Sequence, residues 1–294
     1  MKYAVLGAAG QLGRDLCPRL PGDVVALTRA QADLTRAEET RRTLSELKPQ
    51  VVVNCAAYNF VDRAEAEPEA AFAVNAWAVR ELAQICRDLD CTFVTFSTDY
   101  VFGLDQARST PYREDEAPGP LSVYGLSKLA GEYLVRAVCP KNFVIRTCGL
   151  YGVWGSGGKG GNFVETMLRL GAQGKPVRVV NDQVCTPSYT PDVAAATGAL
   201  IASGRYGLYH LTNSGCCSWY ELASGIFEAA GMRVDVVPIT SQEYAAAARR
   251  PAYSVLDSVA YRSLQLPTIR PWREAVAAYL AERDRADLRR LRQG

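Results

Sequence analysis

Tyr124 and Lys128 stand four residues apart in Tyr124-Gly125-Leu126-Ser127-Lys128, a phrase that opens a helical stretch after Ala117-Pro118-Gly119-Pro120. Residues at this spacing share one helical face, so the phenol and the ammonium point the same way. A cation beside a phenol stabilises the phenolate and draws its pKa down from about 10. Such a tyrosine can protonate an alkoxide forming at a carbonyl as hydride arrives. The lysine can also hydrogen-bond the ribose of a nicotinamide. On a solvated helix the same spacing arises by chance, so its meaning depends on its surroundings.

Two upstream phrases supply that context. Gly7-Ala8-Ala9-Gly10-Gln11-Leu12-Gly13 follows an N-terminal apolar strand and opens a helix. The first glycine permits a tight turn, the second lets a pyrophosphate approach the backbone, and the third lets the helix pack closely on the sheet. The free N–H groups of the helix start then face the phosphates. The second strand ends Leu27-Thr28-Arg29 rather than on a carboxylate. Arg29 suits the 2′-phosphate of NADPH better than a bare ribose, although NADH is compatible with the loop; the plain alternative is a surface cation. Ser97-Thr98-Asp99-Tyr100-Val101-Phe102 lies at the carboxyl end of another strand, where ligands collect in open α/β sheets. Thr98 is placed to bond a substrate carbonyl and Asp99 a sugar hydroxyl, the alternative being a capped turn.

Composition narrows the field. The 294 residues carry a net charge of +2 with acidic and basic residues intermixed, which argues against nucleic acid as a partner. The arginines of the tail (Arg285, Arg289, Arg290 and Arg292) read as a solvated terminal helix. Met1–Leu6 runs into a glycine loop too soon for a signal peptide, and no apolar run reaches the about 20 residues that span a bilayer, so a cytoplasmic protein without a membrane partner is expected. Nine cysteines, with no Cys-x-x-Cys pair, read as reduced thiols, and Cys216-Cys217 receives no role. His210 is the one histidine and sits in an apolar phrase, so acid–base work falls to tyrosine, lysine or carboxylates, and no metal site is expected.

The elements that must position these groups alternate. Strands are predicted at Tyr3–Leu6, Val24–Leu27, Val51–Asn54, Thr92–Ser97 and Phe143–Arg146. Helices are predicted at Gln11–Arg19, Ala37–Leu47, Glu69–Leu89 and Tyr124–Val138. Uninterrupted apolarity in the strands implies cover on both faces. The expected fold is α/β: a Rossmann-type doubly wound parallel sheet with a smaller C-terminal substrate-binding domain. Residues 1–150 form the nucleotide domain and 151–294 the cap, with 176–203 returning to the first. Gly152–Gly161, glycine at six of ten positions, is expected to be a mobile loop or lid. Helices at Phe163–Leu170, Asp192–Ala202 and Trp219–Ala230 and a strand at Val177–Val180 complete the reading.

Together these phrases resemble the extended short-chain dehydrogenase/reductase family, in its dTDP-4-dehydrorhamnose reductase branch. The resemblance covers nearly the whole chain. It rests on the glycine loop, Val53–Tyr58, Val61–Glu65, Val74-Asn75-Ala76, Ser97–Phe102, Tyr124–Lys128, Gly161-Asn162-Phe163, Val180–Gln183, Gly207–Leu211 and Arg249-Arg250-Pro251. It implies Thr98, Tyr124 and Lys128 as the catalytic set. Gly10, Gln11 and Leu12 would hold the pyrophosphate, with Gly7 and Gly13 shaping the loop. Asp33 and Leu34 would flank the adenine, and Ala56, Ala57, Tyr58 and Asn75 would line the dinucleotide. Thr98 and Asp99 would touch the sugar, with Asn162 and Arg250 on the sugar-nucleotide side. The implied reaction is hydride transfer from NADPH or NADH to C4 of a nucleotide-linked 6-deoxyhexulose, giving dTDP-L-rhamnose from dTDP-4-dehydrorhamnose, with Tyr124 as proton donor.

Two departures mark this chain. Family members often carry an acidic residue at Thr28, and many carry a substrate-contacting tryptophan at Gly149, for which Trp154 is the nearest substitute in sequence. Some members use Mg2+ at a subunit contact; no ligands for it stand out here, and a homodimer is compatible with the resemblance. A dehydratase would need Asp-Glu where this chain has Asp99-Tyr100. An epimerase, or a non-catalytic NADP-binding regulatory subunit of the methionine adenosyltransferase type, are the alternatives, and oxidation of NADPH by a keto-sugar nucleotide separates them from a reductase.

Overall fold

A computed structural model describes residues 1–155 and 161–291, with side chains described to residue 285. Strands β1 (Lys2–Leu6), β2 (Asp23–Leu27), β3 (Val51–Asn54), β4 (Thr92–Thr98) and β5 (Asn142–Thr147) lie in the order β2-β1-β3-β4-β5. The strand Gly207–His210 adds to β5 and completes a six-stranded sheet, parallel throughout. The doubly wound parallel sheet is therefore the observed architecture.

The strand sequences account for cover on both faces. Tyr3 and Val5 enter one core with Val51, Val53, Phe143 and Ile145, while Ala4 and Leu6 enter the other with Val52 and Val144. Alternate residues of a strand point to opposite faces, so an unbroken apolar run fills two cores at once. The helix Thr190–Ser203 closes the first core with Val193, Leu200 and Ile201, and the helix Ala37–Leu47 closes the second with Leu44. A third core holds Val164, Leu168, Leu222, Phe227, Trp272 and Tyr279, all from the C-terminal half. Of the stretch 176–203 expected to return to the first part, only Thr190–Ser203 packs there: the strand Val177–Val180 pairs with Val236–Ile239 in a separate two-stranded sheet and joins the third core.

Two local features differ from the sequence reading. A short helix, Val61–Ala66, precedes the long one. The expected helix over Glu69–Leu89 is present as Pro68–Phe72, a π-helical turn at Ala73–Trp77, and Ala78–Asp88. Such one-turn bulges recur near functional sites, and this one carries Asn75. Half of the glycine-rich stretch read as a lid, 156–160, lies outside the described residues. The arginine tail lies in the helix Trp272–Leu291, except Arg292, which is also outside them. Among the described residues no helix is long and apolar enough to cross a membrane.

Candidate active site

The sheet order reverses between β1 and β3, and the loops after these strands meet there. Gly7 adopts φ +72°, and a Cβ on it would stand 2.7 Å from the Ala56 nitrogen. A Cβ on Gly13 would stand 2.5 Å from the Gly7 carbonyl oxygen, so α1 (Gln11–Leu16) rests directly on the loop. Gly10 donates its N–H to Gly7 at 2.9 Å and begins α1 without a side-chain cap. The result is a tight turn of bare backbone, packed too closely on Ala56 and on α1 to admit a Cβ at Gly7 or Gly13, and an uncapped helix start after a turn of this kind fits a dinucleotide pyrophosphate. Leu12 is buried beneath it. Gln11 reaches outward instead: its amide donates to the Leu150 carbonyl at 3.0 Å and accepts from Asn162 at 3.2 Å. Asn162 also caps the helix Phe163–Gly171 through the Glu165 N–H at 3.0 Å.

Beyond β2, Thr28 is tied to Gln31 at 2.9 Å, and Arg29 extends over Asp33 at 3.0 Å with its side chain 86% exposed. Partial burial pulls the Asp33 carboxyl up, but hydrogen bonds from Thr35 and Arg29 outweigh it and hold the group at about 2. Leu34 is buried beside them. Beyond β3, the Asn54 side chain accepts from the Ala56 N–H at 3.0 Å. Asn75, in the π-helical turn, accepts from the Tyr58 N–H at 2.9 Å and donates to the Tyr58 carbonyl at 2.8 Å and to Ser127 at 3.0 Å. Its amide thus shapes the Ala56-Ala57-Tyr58 loop and joins it to the helix Val123–Val138.

That helix, capped by Ser122, brings the catalytic candidates to the carboxyl end of β4. Tyr124 stands beside the Thr98 hydroxyl, which stabilises the phenolate, yet burial and the Asp99 charge push the phenol above its ordinary value. Lys128 is buried and donates to the Phe96 carbonyl at 2.6 Å. Burial lowers its ammonium to about 8, and the Glu132 charge opposes that fall. The structure thus brings Thr98 and Tyr124 together, with the Lys128 amine on the Phe96 carbonyl of the same strand, and the phenol moves opposite to the sequence expectation, because the amine is turned toward strand backbone and burial dominates.

Asp99 is enclosed. Its carboxylate accepts from Thr98 at 3.2 Å, Ser254 at 2.6 Å and the Cys148 thiol at 3.1 Å. Burial pushes its carboxyl up to about 6 against the pull of those donors. Arg250, half-buried, forks onto Asp62 of the Val61–Ala66 helix at 3.0 and 2.7 Å. Gly149 (φ +49°) is covered by Trp219, whose ring would lie 3.3 Å from a Cβ there. Trp154 instead donates to Asp15 at 3.2 Å. Sequence reasoning missed Trp219, which lies 70 positions along the chain from Gly149 with only the helix start Ser218-Trp219 to mark it. It missed Ser254 as well, although that residue follows the Arg249-Arg250-Pro251 phrase closely. Among the described residues no cluster of three or more His, Cys, Asp or Glu side chains is placed to hold a metal ion.

Comparison with known proteins gives similarity along nearly the whole chain. The model of the RmlD substrate binding domain matches residues 1–285. The spore coat polysaccharide biosynthesis protein SpsK of Bacillus subtilis (strain 168) is 40% identical over 290 residues, covering 97% of this chain and 99% of its own. A dTDP-4-dehydrorhamnose reductase of Streptomyces griseus is 43% identical, covering 94% and 91%. The crystal structure of dTDP-4-dehydrorhamnose reductase from Bacillus anthracis str. Ames in complex with NADP superimposes with a TM-score of 0.90 at 36% identity, covering 96% of this chain and 99% of that one. A glycine turn at the sheet's switch point, Thr98 and Tyr124 together at the end of β4 and similarity along nearly the whole chain lead to one conclusion: the chain belongs to the RmlD substrate-binding-domain family.

Proposed function

We propose that the protein reduces the C4 keto group of a nucleotide-linked 6-deoxyhexulose, converting dTDP-4-dehydrorhamnose to dTDP-L-rhamnose in the cytoplasm. The observation that supports the reading is the meeting of Thr98 and Tyr124 at the end of β4, with Lys128 anchored two residues earlier on the same strand. NADPH supplies the hydride when bound, held along Gly7, Gly10, Gln11, Leu12 and Gly13, with Asp33 and Leu34 at the adenine and Ala56, Ala57 and Tyr58 along the dinucleotide. Asn75 acts through Tyr58, whose backbone it fixes. Arg29, largely exposed, is free to swing onto a 2′-phosphate.

Thr98 hydrogen-bonds the keto oxygen, and Tyr124 delivers its phenolic proton to that oxygen as charge develops there. A phenol that burial keeps protonated is in the state a reductase needs, and the Thr98 hydroxyl beside it stabilises the phenolate left behind, with Lys128 held one turn on against the Phe96 carbonyl. Asn162 and Arg250 are assigned to the sugar-nucleotide side, while Asp99, enclosed by Ser254 and Cys148, orients the Thr98 hydroxyl rather than touching the sugar. Division of labour follows the chain, with residues 1–150 binding the dinucleotide and 151–294 the sugar nucleotide, while Thr190–Ser203 and Gly207–His210 support the first part.

Relatives named dTDP-4-keto-6-deoxy-D-glucose reductase (39% identical) and probable dTDP-4,6-dihydroxy-2-methyloxan-3-one 4-ketoreductase (41% identical) support C4-keto reduction as the shared chemistry. A turnover screen of purified protein with NADPH across keto-sugar nucleotides tests the reading. Fastest oxidation of NADPH with dTDP-4-dehydrorhamnose is expected. Tight NADPH binding with no turnover on any keto-sugar would overturn it in favour of a binding subunit.

A further inference from the structure

Three consecutive residues of β4 each hold a different side chain of the helix Val123–Val138. The Phe96 carbonyl accepts from Lys128 at 2.6 Å. The Ser97 hydroxyl donates to Glu132 at 2.5 Å. The Thr98 hydroxyl meets the Tyr124 phenol. Tyr124, Lys128 and Glu132 follow one another at four-residue steps, so one helical face carries all three.

Glu132 is 2% exposed and is forked by Arg146 of β5, with Nε at 2.9 and 3.1 Å and Nη2 at 2.7 Å. Behind it Arg146 stands 3.4 Å from the His210 ring nitrogen and lies over the Phe102 ring. Stability is a poor explanation for this pair. Removing two charges from water costs about as much as their attraction returns, and well-packed apolar residues serve equally well. Its place in the fold suggests a use in the reaction. Lys128 is buried against a neutral carbonyl, and Glu132 is the anion one turn beyond it.

We propose that Glu132, anchored by Arg146 and Ser97, is a positioning residue for the reduction: it supplies negative charge one turn beyond Lys128 and fixes the register of the helix on β4 that sets Tyr124 against Thr98. The inference rests on the reductase reading above. The charged group that acts on the lysine is Glu132 on its own helix; Arg146 of β5 pairs with that carboxylate, and His210 on the edge strand, held neutral by burial, stands behind Arg146.

Glu132→Gln tests it. Burial has already lowered Lys128 to about 8, with Glu132 opposing the fall. Removing that charge, and leaving Arg146 unpaired, moves the lysine further down. The alkaline limb of kcat/KM is therefore expected to shift to lower pH by roughly one unit, with kcat at neutral pH falling about tenfold. A uniform loss at every pH with the limb unmoved would mean a merely structural pair and overturn the proposal. NADPH affinity followed by nucleotide fluorescence against pH gives a readout without turnover, and the same shift of its alkaline limb is expected. If wild-type protein binds NADPH but reduces no keto-sugar, the reductase reading fails while this binding limb still tests Glu132. Should Glu132→Gln not fold, Ser97→Ala keeps the ion pair and removes one anchor. A several-fold drop in kcat with a smaller shift of the same sign supports the proposal, and wild-type kcat and limb in that variant refute it.

Discussion

Asn75 and Ser127, 52 residues apart in the chain, share a hydrogen bond of 3.0 Å between the π-helical turn and the helix that carries Tyr124 and Lys128. The same side chain grips the backbone of Tyr58 on both its N–H and its carbonyl. One buried amide therefore fixes the distance between the dinucleotide loop and the catalytic helix. Asn75→Ala is expected to cost about 1–3 kcal/mol, since it strands buried backbone groups. It should also raise KM for NADPH more than it lowers kcat. Urea unfolding and initial rates check both, and an unchanged urea midpoint would show that the amide is not a structural link.

Tyr124→Phe removes the phenolic proton and little else from a half-buried ring. A loss of kcat of about 10²–10⁴-fold is expected. The affinity for NADPH should stay within a few fold of wild type, about 1 kcal/mol or less. Wild-type kcat in this variant would rule out Tyr124 as the proton donor.

Arg29 is expected to carry the preference for NADPH. Its guanidinium is bound to Asp33 on an exposed surface, so it can leave that partner at little cost. Arg29→Ala should lower kcat/KM for NADPH roughly tenfold, the worth of one charge-assisted contact with a phosphate, and leave NADH rates unchanged. Parallel rates with the two coenzymes decide it. Equal losses with both would show that the residue shapes the loop rather than reads the phosphate.

His210 gives a pH test with a clear sign. Burial and the Arg146 charge lower its imidazole to about 3, against an unfolded value of about 6.5. Between those values the unfolded chain binds a proton that the native chain does not. The stability that neutral His210 contributes is thus complete above about pH 6.5 and is lost as pH falls below it. In an NMR titration the lone imidazole should keep one shift between about pH 5 and pH 8, where an ordinary histidine titrates. A normal titration curve would contradict the buried placement.

The parts of this molecule that were legible in sequence are those carried by short spacing. The glycine loop and the Tyr124–Lys128 pair each lie within one strand–turn–helix unit, where local geometry leaves few choices. Alternating cores along β1, β3 and β5 follow from unbroken apolar runs. The cover of Gly149 by Trp219 was not legible, nor was the hold of Ser254 on Asp99, because tertiary packing brings those residues together across 70 and 155 positions. The direction of the Tyr124 shift was missed for a related reason. Helical spacing places Lys128 on the right face, but only the packing of β4 shows that its amine ends on the Phe96 carbonyl.

The last strand of the central sheet, Gly207–His210, comes from the middle of the C-terminal half and pairs with β5 over four residues. A fragment ending near residue 150 would strip β5 of that neighbour and leave an unprotected margin rich in Phe143, Val144 and Ile145, a ready template for self-association. The two halves are therefore interlaced: neither can be borrowed, swapped or expressed alone without breaking the other, and engineering new sugar specificity has to proceed within the intact polypeptide.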